Sequence, residues 1–179
     1  MLFILDRDGV INYESDVYVK SPAEWIPIPG SLEAIARLNH AGHTVVVATN
    51  QAGVGRGIYT LEMMHAINDK MLAEVAKLGG HIEKVYYCPH HPDDKCACRK
   101  PEPGMLLEIK KNYPSEFDGA VFIGDSIRDV DAGRAVGLKL ALVKTGNGMK
   151  SLESPEKLQG VLVCDNLASV VDSLLLQNV

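Results

Sequence analysis

This sequence has no excess of positive charge: 18 Lys and Arg stand against 23 Asp and Glu, a formal net charge of -5 at pH 7. It offers no basic field for non-specific nucleic-acid binding, and no nucleic-acid partner is expected. Long apolar runs are also missing. The first, Leu2 to Leu5, is broken by Asp6, far short of the ~20 residues a membrane span needs, and it has no basic leader of a secretory signal. No membrane partner and a cytoplasmic location are therefore expected. Cysteine is scarce, and Cys88, Cys96 and Cys98 crowd one segment while Cys164 stands apart. That is not a disulfide framework; in a reducing compartment such crowding suggests metal. Internal repeats, low-complexity segments and interdomain linkers are missing as well. The 179 residues, 46% apolar and 23% charged, suit one domain, 1–179, with a substantial core, expected to act as a monomer.

What is present begins with Leu2-Phe3-Ile4-Leu5-Asp6-Arg7-Asp8-Gly9. The pattern predicts a buried strand that delivers two carboxylates to its C-terminal tip, where ligands bind in open α/β sheets. Strand alternation puts Asp6 and Asp8 on one side and turns Arg7 away. Two carboxylates so close repel unless a cation or proton lies between them; the plainer alternative is an Asx-rich turn. The polar, proline-bearing stretch from Tyr13 to Pro29 reads as a flap or short hairpin over that tip. Ser31 is expected to cap a helix with Leu32, Ile35, Ala36 and Leu38 on one face, stopped by Gly42.

Thr44 to Thr49 reads as a buried parallel strand ending in Thr49-Asn50-Gln51. A glycine-bearing loop, Gly53 to Gly57, leads to a helix from near Thr60 to Leu78. Further strands are predicted at Lys84 to Cys88, Ala120 to Asp125, Leu138 to Val143 and Val161 to Cys164. Helices are predicted from Pro103 to about Asn112, from Ser126 to Val136 and from Leu167 onward. Strands alternating with helices give a three-layer, Rossmann-like α/β fold, a parallel sheet with helices on both faces. The polar strand ends then share one edge, where Asp6, Asp8, Thr49, Asn50, Lys100 and Asp125 can meet.

Three carboxylates at one edge suit Mg²⁺ better than zinc. A lysine beside them makes sense if the substrate brings a phosphate, to which Thr49 and Asn50 could donate hydrogen bonds. One aspartate could attack phosphorus and a second move the leaving-group proton. Taken singly, Thr49 could be a mere β-former and Lys100 a solvated charge. Asp129, three residues after Ser126, reads as the partner in a capping box rather than a metal ligand.

Together, Asp6-Arg7-Asp8-Gly9-Val10-Ile11-Asn12, Thr49-Asn50-Gln51, Lys100-Pro101 and Gly124-Asp125-Ser126 with Asp129 resemble the four ordered motifs of the haloacid dehalogenase superfamily. The resemblance implies that Asp6 is the nucleophile and Asp8 the general acid and then base. It implies Mg²⁺ held by the Asp6 and Asp125 carboxylates and the Asp8 backbone carbonyl, with Thr49 and Lys100 stabilising the phosphoryl group. No insertion is long enough for a large cap domain, so loops should shape the site.

Cys88-Pro89-His90-His91 and Cys96-Ala97-Cys98 offer three thiolates and one or two imidazoles, enough for a closed structural zinc site of the Cys₃His kind. His90 repeats toward Cys88 the spacing of Cys96 to Cys98, whereas His91 is expected to face solvent or the pocket. The loop runs into Arg99 and Lys100, so pinning it would fix two cations that meet a phosphate. With Cys98-Arg99-Lys100-Pro101 after it, this loop is similar to that of the D-glycero-D-manno-heptose 1,7-bisphosphate 7-phosphatases, an arrangement the histidinol-phosphate phosphatases share. The resemblance implies removal of the 7-phosphate of a small phosphorylated sugar, in nucleotide-activated heptose formation for lipopolysaccharide. It also implies that Arg99 and the loop after Asn12 recognise the sugar. Ala52 and Ser126 depart from that pattern, which often has serine and lysine there. Histidinol phosphate is the alternative substrate, and a phospholigand-binding protein without turnover the alternative class.

Overall fold

A computed structural model describes residues 1–176. Six strands, β1 (Leu2–Leu5), β2 (Thr44–Asn50), β3 (Lys84–Cys88), β4 (Val121–Gly124), β5 (Lys139–Val143) and β6 (Val161–Cys164), form one sheet. The order is β3-β2-β1-β4-β5-β6 and every pairing is parallel. The helices are α1 (Ser31–His40), α2 (Ala52–Gly55), α3 (Leu61–Lys77), α4 (Gly104–Asn112), α5 (Pro114–Phe117), α6 (Ile127–Ala135), α7 (Gly148–Ser151) and α8 (Leu167–Leu176). Among the described residues no helix is long and apolar enough to cross a membrane.

Strand alternation splits the core in two. Phe3 and Leu5 of β1 point to the face covered by Ile35 and Leu38 of α1, Ile67 and Met71 of α3, and Val170 and Val171 of α8. Leu2 and Ile4 point to the opposite face, against Leu106 and Ile109 of α4 and Ala132 of α6. Because both faces are covered, β1 and β2 read as continuous apolar runs rather than as alternating patterns. The chain runs from β1 outward through β2 to β3 and then crosses back to β4 on the other side of β1, so β1 and β4 flank the switch point where open α/β sheets bind ligands. Leu5 pairs with Ile123, which sets Asp6 beside the end of β4.

The flap is a short hairpin: Tyr13 N–H donates to Ile26 O at 3.0 Å and Ile28 N–H to Ile11 O at 2.9 Å. Trp25 plugs it into the core, and Lys70 of α3 donates its ammonium to Pro22 O at 2.6 Å and Trp25 O at 3.2 Å. Three local expectations change. Gly30, at φ 84°, is the N-cap of α1, while Ser31 is its first residue and donates its hydroxyl to Val10 O at 2.9 Å. The sharp turn out of the flap needs a positive φ that serine would adopt only under strain. The glycine-bearing segment after Gln51 is not all loop, since Ala52–Gly55 makes one helical turn against the cysteine segment. A methyl group at Gly55 would overlap the His91 backbone, so close packing explains the glycine there. α5 and α7 are single turns that periodicity cannot register.

Candidate active site

Asp6 follows the last residue of β1 and its backbone N–H donates to Ile123 O at 2.9 Å. Its carboxylate is 3.0 Å from the Lys100 ammonium, which lies 2.7 Å from Asp129 and donates to Ala48 O at 2.8 Å. Lys100 is 2% exposed, so the reading of a solvated charge is set aside. Burial disfavours the ammonium, but the Asp129 and Asp6 charges prevail and hold its pKa above the ordinary lysine value. Burial pushes Asp6 well up; Lys100 opposes this, and Asp129, Asp125 and Asp8 add to it.

Asp125 follows β4, and its carboxylate accepts from the backbone and side-chain N–H of Asn147 at 2.7 and 3.2 Å. Burial, then the Asp129 charge, raises its pKa to about 7. The backbone wraps closely here: a methyl group at Gly9 (φ 83°) or at Gly146 (φ 57°) would overlap the Asp125 carboxylate. Asp129 completes the expected capping box, accepting from Ser126 N–H at 3.0 Å and Ser126 Oγ at 2.7 Å. Burial would raise it, yet Lys100 and those donors hold it below the usual carboxylate range. Carboxylate oxygens of Asp6, Asp125 and Asp129 lie within 4.8 Å of one another. This anionic, oxygen-only set fits a hard divalent cation, and with Asp129 already bonded to Lys100 and Ser126, Asp6 and Asp125 are the carboxylates left for it.

Arg7 does not turn away from Asp8. It is 1% exposed and bends back, its Nε and Nη2 donating to Asp8 Oδ1 at 3.2 and 3.1 Å. The strand has ended at Leu5, so period-two alternation no longer directs the side chains that follow. Asp8 Oδ1 also accepts from Asn12 at 2.8 Å, and Oδ2 from Gln51 at 2.9 Å.

The strand end Thr49-Asn50-Gln51 divides its labour. Thr49 Oγ1 accepts from Gln51 at 2.9 Å and its residue is fully buried. Asn50 lines the cavity and also positions the lysine backbone: its amide donates to Lys100 O and accepts from Lys100 N–H, both at 3.0 Å. Gln51 bridges Asp8, Arg7 and Tyr59. A cavity of about 270 Å³ opens over Asp6 and Asp8, bounded by the flap, Arg99 and Arg128.

Arg99 Nη1 is buried without a hydrogen-bond partner, and burial followed by the neighbouring Arg128 charge lowers the Arg99 pKa. Two like charges at one mouth suit an anion. Arg128 on α6, Glu14 and Tyr18 on the flap, Tyr59 and Asn147 belong to the cavity wall, although no sequence motif singles them out. Asn147 lay in view, between two glycines just beyond a strand end. Ala52 lines the cavity as a methyl group, and the Ser126 hydroxyl is engaged by Asp129.

The cysteine loop closes on itself. Cys88 Sγ lies 3.5 Å from His90 Nδ1 and from Cys96 Sγ, Cys98 Sγ is 3.2 Å from His90 Nδ1, and Cys96 and Cys98 are 3.6 Å apart. Edges of about 3.5–3.8 Å are those of a tetrahedron around zinc with thiolate and imidazole ligands. These sulfurs are free thiols, far beyond the ~2.05 Å of a disulfide. Burial raises Cys88, and burial with the neighbouring thiols raises Cys98. Cys96 comes down to about 7 despite burial, because the Arg99 backbone N–H and the other sulfurs stabilise its thiolate. His91 stays out of the pocket and is 32% exposed at its side chain, while its Nδ1 accepts from Asp93 N–H at 3.1 Å, capping the turn Pro92–Asp94.

A family model of HAD-hydrolase-like proteins matches residues 97–170. The D-glycero-beta-D-manno-heptose-1,7-bisphosphate 7-phosphatase of Pseudomonas aeruginosa is 52% identical over 174 residues, covering 97% of each chain. The D,D-heptose 1,7-bisphosphate phosphatase of Bordetella bronchiseptica, crystallised in complex with magnesium and phosphate, matches with a TM-score of 0.95 at 49% identity, over 98% of both chains. Its counterpart from Burkholderia thailandensis gives a TM-score of 0.77 at 40% identity, over 97% of both.

Proposed function

The chain belongs to the haloacid dehalogenase-like hydrolases, among the heptose 1,7-bisphosphate 7-phosphatases, and from that premise we propose that it removes the 7-phosphate of D-glycero-beta-D-manno-heptose 1,7-bisphosphate. The observation that carries this reading is the meeting of Asp6, Asp8, Lys100 and Asp125 at the switch point, with Arg99 and Arg128 at the mouth. Near-full-length matches support a single catalytic domain. The product, a sugar 1-phosphate, suits the nucleotide activation of heptose that lipopolysaccharide assembly requires.

Asp6 attacks phosphorus in line with the departing oxygen. A bond forms from its carboxylate, the phosphorus–O7 bond breaks, and Asp8 gives a proton to O7. A water then attacks the aspartyl phosphate, Asp8 takes its proton, and inorganic phosphate leaves Asp6 free. Lys100 flanks the transferring group, neutralising oxygens that carry charge throughout, and Thr49, buried at the neighbouring strand end, would offer its hydroxyl to them. Gln51 and Asn50 hold Asp8 and Lys100 in register. Mg²⁺, placed by the Asp6 and Asp125 carboxylates and the Asp8 carbonyl, would supply further neutralisation of the phosphoryl oxygens. Zn²⁺ on Cys88, His90, Cys96 and Cys98 would be structural, fixing Arg99, which with Arg128 takes the 1-phosphate that stays on the sugar.

Phosphate release with Mg²⁺ from beta-heptose bisphosphate, its alpha anomer and histidinol phosphate tests the reading. The beta bisphosphate should exceed histidinol phosphate in kcat/KM by about tenfold or more, as expected when charge-assisted contacts to a second phosphate are made, and should exceed the alpha anomer, which presents that phosphate in a different direction. A preference for histidinol phosphate would overturn it.

A further inference from the structure

Asp8 is the end of a longer chain of contacts. Behind it, the buried Arg7 guanidinium donates Nη1 to Asn68 Oδ1 at 2.9 Å and Nη2 to Gln51 Oε1 at 3.1 Å. Gln51 Oε1 also accepts from the Tyr59 hydroxyl at 2.6 Å. The Tyr59 ring lies against Gly53, where a methyl group would overlap it, so the ring is held as well. Asn68 sits in the apolar stripe of α3 with Met64, Ile67, Met71 and Val75, 5% exposed, and is outside the cavity wall. A planar guanidinium has donors in fixed directions. Anchoring its far end at Asn68 fixes how its near end meets Asp8, while Tyr59 fixes which way the Gln51 amide faces.

We propose that Asn68 and Tyr59 are positioning residues for proton transfer: through Arg7 and Gln51 they hold the Asp8 carboxyl in the rotamer that reaches the leaving-group oxygen. The inference rests on the phosphatase reading above, with Asp8 as the acid. Asn68 lies outside the cavity wall, so phosphate affinity should be indifferent to it.

Leaving groups separate this role from a merely structural one. A sugar alkoxide must be protonated as it departs, whereas p-nitrophenolate departs as a stable anion. kcat/KM covers steps through transfer to Asp6 and omits the later hydrolysis, in which Asp8 acts as base for every substrate. Asn68→Ala and Tyr59→Phe should each lower kcat/KM for heptose bisphosphate by about tenfold, a fraction of the 10²–10⁴ that a positioned acid contributes. Toward p-nitrophenyl phosphate Asn68→Ala, which lies outside the cavity wall, should change it less than about twofold, with competitive inhibition by inorganic phosphate in Mg²⁺ unaltered. Equal losses on both esters, or no loss on the sugar ester, would overturn the proposal. Asn68→Leu, which keeps the side-chain size and suits the apolar stripe of α3, decides if Asn68→Ala does not fold. If the wild type cleaves another alkyl phosphate but not heptose bisphosphate, the substrate assignment fails, and the same ratio measured on that ester still decides the positioning role.

Discussion

Asp125 and Asp6 carry burial and like charge together, which favours their protonated forms in the metal-free protein. In the unfolded chain Asp125 would lose its proton near 3.8, and in the fold it does so near 7. Between those values the folded state binds more protons than the unfolded, so metal-free stability falls as pH rises through that window. Divalent cations bind the ionised carboxylates, and their stabilisation must grow as the protons leave. The rise in melting temperature on adding Mg²⁺ should therefore be larger at pH 8 than at pH 5.5; an equal rise at both would contradict the site. The aspartates themselves were legible in the sequence because they end apolar runs. Arg7 was not, since its direction depends on where the strand stops. The Asn50 bonds to the Lys100 backbone were not legible for a related reason: a polar strand end advertises a site without saying which neighbouring backbone its amide also holds. Asn68 left one faint sign, a polar residue inside an apolar helical stripe.

Between β3 and α4, Cys96 and Cys98 pack partly buried against the core, and the four donor atoms of Cys88, His90, Cys96 and Cys98 converge. Ordering such a segment by metal removes entropy that substrate binding would otherwise have to offset. Zinc chelation should make the chain cleavable by protease within residues 89–99 and raise KM for heptose bisphosphate several-fold, on the order of one charge-assisted contact. An unchanged digest would count against a structural zinc. Strands were the most legible elements, since covering both faces of the sheet writes the central ones as nearly unbroken apolar runs. The flap was legible as irregular sequence, but its anchors were not. Lys70 looks like a solvated helix lysine until Pro22 and Trp25 turn their carbonyls toward it. Likewise Gly53 and Gly55 signalled a loop when their smallness serves close packing of a helical turn.

Across the molecule, one topological fact assembles the site: β1 and β4 are neighbours although β2 and β3 intervene in sequence. Asp6 and Asp125 meet for that reason, while the flap and the cysteine loop, both inserted at the same sheet edge, wall the cavity in place of a cap. Alternation of strands and helices made this architecture readable, and the motif order made the edge readable. Contacts among long side chains from separate elements, such as Arg99 with Arg128 or Tyr59 with Gln51, have no sequence period and emerged only with the fold. The central claim is that Asp6 takes the phosphoryl group from O7 and leaves the 1-phosphate in place. Its most direct measurement is phosphorus NMR of beta-heptose 1,7-bisphosphate incubated with Mg²⁺ and either wild type or Asp6→Asn. Wild type should release one inorganic phosphate and leave the sugar 1-phosphate, with Asp6→Asn slower by more than about a thousandfold; equal turnover by both proteins, or loss of the 1-phosphate signal, would contradict it.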